Sequence, residues 1–169
     1  IIPQEQAFGT GSHETTALCI EMLETLPVHG RMTVDVGTGS GILAIAMTKL
    51  GARRVVAFDN DLDTLNIVPR NCGRNGVVPG AVLQFFGGLE ALRGRRFGMA
   101  TMNILPDVIV PLLPQMRGLL DDAAPLILSG ILTTVREEVI VAAEAAGFEF
   151  TSQLFFDDAF SEQVYAAEP

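Results

Sequence analysis

The sequence predicts an α/β fold with a mostly parallel sheet and helices on both faces. Short apolar runs of strand character alternate with helical patterns along the chain, at the spacing of βαβ units. A glycine-rich turn, Gly37-Thr38-Gly39-Ser40-Gly41, separates the first core strand from the helix after it. The polar residues that stand out, Asp35, Asp59 and Asn103, fall at the carboxyl ends of predicted strands, the edge where open α/β sheets bind their ligands.

The first sixteen residues, IIPQEQAFGTGSHETT, are rich in turn formers. They lead into a helix with Ser12 or Thr15 as its cap and Ala17, Ile20, Leu23 and Leu26 along one side, ended by Pro27 and Gly30. MTVDV (32–36) is the first strand, and ILAIAMTKL (42–50) is a helix stopped by Gly51. RRVVAFD (53–59) is the second strand. Residues 61–75 read as a helix that Pro69 should kink or shorten. AVLQFF (81–86) and FGMATMN (97–103) are the third and fourth strands, followed by a helix over 107–120 with internal prolines. APLILSG (124–130) is the fifth strand and REEVIVAAEAAG (136–147) a helix. FEFTSQLFF and SEQVYAAE alternate as a terminal antiparallel hairpin, where Phe155, Phe156 and Phe160 pack the sheet edge.

At 169 residues the chain holds one domain, spanning 1–169, and is too short for two. Apolar residues at 49% and charged ones at 18% exclude a disordered chain. No run reaches the roughly 18 uncharged residues of a membrane span. The opening at Ile1, with no basic-then-apolar leader, reads as a piece of a longer, soluble cytoplasmic protein. Cys19 and Cys72 form neither a metal spacing nor a disulfide framework, so reduced, buried or half-buried thiols and no metal site are expected. A formal charge of −9 argues against direct nucleic-acid binding and favours encounter with a basic protein. His29 reads as a surface turn residue, His13 as structural, and the basic run at 93–96 as a solvated loop.

The turn DVGTGSG (35–41) is the strongest local feature. Its glycines let the backbone approach a ligand closely, and the helix after it aims its amides and positive dipole end into the turn. A dinucleotide pyrophosphate and the amino-acid end of S-adenosylmethionine both suit such a turn. Here the glycines follow G-x-G-x-G, with an acid two residues ahead, and not the dinucleotide spacing G-x-G-x-x-G. Asp59, 22 residues past Gly37, is placed to accept both hydroxyls of an adenosine ribose, with Asn60 beside it. The polar loop AFGTGSHETT (7–16) is suited to folding over the cofactor, and Asn103 in NILP offers an amide oxygen to a substrate N–H. A nicotinamide-dependent dehydrogenase and a non-catalytic adenosine-binding module are the rival classes.

Taken in order, AFGTGSHETT, DVGTGSGILAIA, VVAFDND, NILP and LILSGIL resemble the ribosomal protein L-eleven methyltransferase family, PrmA. The resemblance runs to about Leu132. It implies a class I S-adenosylmethionine-dependent methyltransferase fold: a Rossmann-like, seven-stranded sheet whose last strand is antiparallel. It implies S-adenosyl-L-methionine as methyl donor and amino groups of a large-subunit ribosomal protein as acceptor, with another protein lysine or a small amine as the alternative target. The family's cofactor contacts fall on Thr16, Gly37, Asp59 and Asn103. The surrounding motif residues Phe8, Thr10, Asp35, Thr38, Gly39 and Asn60 complete the expected cofactor site, with Asn103 also as the catalytic residue. The chain departs from the family at Gly98 (usually Asp), Pro69 (usually a helix former) and Leu62 (usually Pro), and it has no tryptophan. The family's separate N-terminal domain is not in this sequence.

Overall fold

The computed structural model describes residue 2, residues 14–156 and residues 160–168. Seven strands form one sheet: β1 (Met32–Val36), β2 (Arg54–Asp59), β3 (Val82–Phe86), β4 (Met99–Asn103), β5 (Pro125–Leu132), β6 (Phe148–Phe156) and β7 (Phe160–Ala167). Their spatial order is β3-β2-β1-β4-β5-β7-β6. The first five are parallel, and β7 lies antiparallel between β5 and β6. The chain runs outward from β1 through β2 to β3, then returns to place β4 on β1's other side. That reversal leaves a crevice at the carboxyl ends of β1 and β4, where doubly wound sheets take their ligands.

Both faces of the central strands are buried, and their period-two alternation divides the core in two. Val34, Val36, Val56, Phe58, Ala100 and Met102 join the core beneath α4 (Pro106–Leu119) and α5 (Arg136–Ala145). Val55, Ala57, Met99 and Ile127 join the opposite one, beneath α1 (Glu14–Thr25) and α2 (Ile42–Lys49). α3 (Thr64–Arg74) follows β2.

Two local expectations, both about α1, are corrected, and the bounds of α3 are sharpened. Helix α1 starts at Glu14, so Thr15 lies inside its first turn and is not a cap; Ser12 is outside the described residues. The buried stripe of α1 is Thr15, Leu18, Cys19, Met22 and Leu23, whereas Ala17 is exposed and Ile20 only half-buried. The helix turns its bulkier stripe to the core, because packing rewards apolar area removed from water. Pro69 does not break α3, which runs through it to Arg74 but begins at Thr64. Pro69 is exposed, as are Pro111 and Pro114 inside the unbroken α4. A carbonyl that loses its helical partner on that side is left to water.

Cys19 is buried and Cys72 half-buried, and neither forms a disulfide. His29 and the loop from Arg93 to Arg96 are exposed. The side chains of Phe155, Phe156 and Phe160 are outside the described residues. No helix among the described residues is long and apolar enough to cross a membrane.

Candidate active site at the carboxyl ends of β1, β2 and β4

The glycine turn is built on a buried carboxylate. Asp35, paired with Thr101 in the β1–β4 register, is only 1% exposed. Its Oδ2 accepts the Thr38 hydroxyl and its Oδ1 the Thr101 hydroxyl, each at 2.7 Å. The Ala44 amide of α2 also donates to it. Burial pushes the Asp35 pKa from 3.8 up to about 6, with the nearby Asp59 charge adding to the rise, while the two hydroxyls and the Ala44 amide pull it down. Asp35 therefore ties β1, β4, the turn and the start of α2 together from below.

Above it the backbone turns through residues no larger than threonine. The amides of Gly37 and Thr38 both donate to the Phe58 carbonyl at 3.0 Å, binding the turn to the end of β2. Gly37 has φ +68, and any β-carbon there would run into Ile104 Cγ2 on the β4 side. Only glycine serves at this position. Gly41 heads α2 with no side-chain cap, so the helix's positive end is left for a ligand. From α3, the buried Asn71 amide donates to the Ser40 carbonyl at 2.8 Å, and Val68 packs where a Gly41 side chain would stand.

Asp59 at the tip of β2 is half-buried and reaches back to the turn. Its Oδ2 accepts the Gly39 amide at 2.9 Å and its Oδ1 the Asp61 amide at 3.1 Å. Each oxygen keeps a further lone pair for a hydroxyl donor. Asn60 beside it is exposed.

Across the crevice, Asn103 ends β4. Its Nδ2 lies 3.5 Å from the Thr16 hydroxyl oxygen of α1, which is buried, leaving Oδ1 as the open end of the amide. Gly130 sits opposite at an irregularity in β5, with φ +78. A β-carbon on Gly130 would stand 3.2 Å from the Ile104 carbonyl and 3.4 Å from Asn103 Oδ1. The bare residue keeps this oxygen clear.

The fold thus brings Thr16, Asp35, Gly37, Thr38, Gly39, Asp59, Asn60 and Asn103 to one rim, with Asp35 and Thr38 buried beneath it and Asn60 on its outer side. Phe8 and Thr10, with His13, lie outside the described residues. Sequence reasoning missed Thr101, Asn71, Ile104 and Gly130. Thr101 carried a legible signal, a polar residue inside the apolar strand MATMN opposite Asp35. The others depend on contacts across the fold that no local pattern announces.

Gly98 is explained by Arg31. The Arg31 side chain crosses the space a β-carbon would fill, 3.0 Å from its Cδ, and its Nη1 donates to the Gly98 carbonyl at 2.8 Å.

The strand order, the turn and the strand-tip carboxylate define a chain of the class I S-adenosylmethionine-dependent methyltransferase fold. The ribosomal protein L11 methyltransferase (PrmA) family matches residues 5–158, and the chain belongs to that family. It is 45% identical over 137 residues to a ribosomal protein L11 methyltransferase of Sorangium cellulosum, covering 80% of this chain and 43% of that protein. It is 43% identical over 143 residues to one of Pseudomonas putida, covering 85% of this chain and 48% of that protein. The chain spans about half the length of these curated relatives. The crystal structure of a ribosomal protein L11 methylase from Lactobacillus delbrueckii subsp. bulgaricus superimposes with a TM-score of 0.88 at 28% identity, over 99% of this chain and 84% of that one.

The residues present fit the family's donor, S-adenosyl-L-methionine. The side-chain-free backbone at Gly37, the uncapped start of α2 and the spare acceptor capacity of Asp59 match a carboxylate at one end and a ribose diol at the other.

Proposed function

We propose that the chain is the catalytic unit of an S-adenosylmethionine-dependent protein N-methyltransferase acting in the cytoplasm on amino groups of ribosomal protein L11. The single observation that carries the reading is the pairing of the bare turn at Gly37 with the Asp59 carboxylate, in a chain of this family.

In this proposal Gly37 and Gly39 present backbone to the amino-acid end of the donor, and Asp59 accepts the ribose hydroxyls. Asp35 and Thr38 act from beneath by holding the turn. S-adenosylmethionine, when bound, supplies a methyl carbon already activated by a sulfonium. The protein's task is then alignment, which is worth on the order of 7–11 kcal/mol of barrier for a well-placed pair. A lysine or α-amine must arrive neutral, and a crevice of low polarity lowers its pKa. The Asn103 side chain, steadied at Nδ2 by Thr16, accepts an amine N–H at Oδ1 and aims the lone pair. With the donor held by Gly37, Gly39 and Asp59, Asn103 would keep the amine nitrogen facing the methyl group, and the surplus proton would leave to water. Phe8 and Thr10 are assigned to the donor by the family motif alone, and Asn60 borders the adenosine.

Titration with S-adenosylhomocysteine and NAD tests the class. The expected result is a thermal shift with the first and none with the second; the reverse would make the chain a dehydrogenase. Transfer of labelled methyl to purified L11 tests the activity, and transfer only to other proteins or small amines would replace the target. Asn103→Ala is expected to cut turnover about 100-fold, the scale of a lost alignment, with S-adenosylhomocysteine affinity within about threefold of wild type. An unchanged rate would remove Asn103 from the mechanism.

A further inference from the structure

The charge of −9 is not spread evenly over the folded chain. Of eleven basic residues, six converge on the amino-terminal edge of the sheet: Arg31 before β1, Arg53 and Arg54 at the start of β2, and Arg93, Arg95 and Arg96 on the turn leading to β4. Arg31, Arg53 and Arg96 line one cleft of about 320 Å³, together with Gly30, Met32, Gly98 and Asp121. The cleft lies a full strand from the glycine turn, about 15 Å at roughly 3.3 Å per residue.

Nearby acids neutralise only part of this edge. Arg96 pairs with Asp121 at 3.3 Å and Asp122 at 3.8 Å, and Arg117 shares Asp122. Glu90 is exposed on the preceding turn, and its carboxyl folds back against Gly88. Among the described residues Arg53, Arg54, Arg93 and Arg95 have no ion pair, and all four are exposed. Arg31 is held in place through one of its five donors by the Gly98 carbonyl. Gly98, also in the lining, has no side chain, and a β-carbon there would crowd Arg31.

We infer that this cleft is an anion site for the phosphate backbone of single-stranded RNA. All six cations are arginines, whose planar forks pair with phosphate oxygens through two parallel hydrogen bonds. Asp121 is half-exposed and keeps lone pairs beyond its contact with Arg96. Those lone pairs suit a ribose hydroxyl or a base amino group, donors that a nucleotide carries beside its phosphate. Folding gathers onto one edge basic residues that the sequence scatters over 66 positions, from Arg31 to Arg96, so the charge met there differs from that of the whole chain. The site is independent of methyl transfer at the opposite rim.

The test is fluorescence anisotropy of the chain with a labelled single-stranded oligoribonucleotide across a salt series. Binding is expected at 50 mM salt, with log K falling by about 2–3 per decade of salt, at roughly 0.7 per phosphate neutralised. The Arg53→Glu/Arg95→Glu double variant is expected to bind at least about tenfold more weakly and to flatten that slope by about 1.4, or 0.7 for each arginine removed. Its urea midpoint should stay at the wild-type value. If the double variant fails to fold, Arg95→Glu alone on the exposed turn gives the same readout at half the change. No binding at low salt, or wild-type affinity and slope in the variant, overturns the site. Displacement of the RNA by poly-glutamate at equal charge reassigns it to an acidic protein, and displacement by millimolar inorganic phosphate reduces it to a small-anion site; either result overturns the RNA reading.

Discussion

The two sides of the crevice are built differently. On the β1–β2 side nearly every polar group is already engaged: Asp35 with Thr38, Thr101 and Ala44, Asp59 with Gly39 and Asp61, and Asn71 with Ser40. On the β4–β5 side, Asn103 touches Thr16 only at 3.5 Å, and Gly130 leaves its amide oxygen open. The first side is held in shape by its own hydrogen bonds, which suits an invariant donor. The second keeps an acceptor in reserve, which suits a substrate that comes and goes. Preorganisation belongs where the ligand does not vary.

The sharpest way to break that contrast is to disturb the rigid side at its tightest point. Gly37→Val puts a β-branched residue at φ +68 against Ile104. A left-handed conformation costs about 1–2 kcal/mol and overpacking about 1–3 kcal/mol, so a loss of about 2–5 kcal/mol is expected in urea unfolding. Wild-type stability would show that the turn is not constrained by Ile104.

Asp35 comes next. Its pKa is about 6 in the folded chain against 3.8 ordinarily. Between those values the folded state holds a proton that the unfolded state has lost. The stability this group contributes is therefore complete below pH 3.8 and disappears as pH rises to about 6. Two pH units correspond to about 3 kcal/mol at 1.36 kcal/mol each. Asp35→Asn lacks that loss, so the stability of wild type relative to the variant should fall by up to about 3 kcal/mol from pH 4 to pH 7. A pH-independent difference would refute a raised pKa.

Asp59→Ala should weaken S-adenosylhomocysteine binding by about 1.5–3 kcal/mol, the worth of hydrogen bonds to a charged group, as read by calorimetry. Full affinity would dismiss its contact with the ribose. The smallest effect is expected on the open side. Thr16→Val removes the partner of Asn103 Nδ2 and should lower turnover by about 0.5–1.5 kcal/mol of barrier, with donor affinity unchanged. A fall in donor affinity instead would place Thr16 on the donor side of the crevice.

Local chemistry announced most of the rigid side. Asp35, Gly37 and Asp59 were legible because a turn without β-carbons between a strand and a helix, and an acid at the next strand's tip, are patterns of adjacent residues. The strand bounds of MTVDV, a short apolar run before the turn, and of FEFTSQLFF, an alternating one, matched β1 and β6 residue for residue. The face of α1 was misjudged because two stripes of comparable apolarity run along it, and only the packed partners choose between them. α3 runs over Thr64–Arg74, shorter than the 61–75 read from the sequence, and it continues through Pro69, whose freed carbonyl is on an exposed face.

The sequence by itself determined the α/β class, the glycine turn and the chemistry of the strand-end residues, since each rests on neighbours in the chain. The tertiary structure alone decided that Asp35 is a buried pin, that Ile104 forbids a side chain at Gly37, that Gly130 faces Asn103, and that scattered arginines share one cleft. Those facts join residues tens of positions apart, and burial and electrostatic fields are set by neighbours in space.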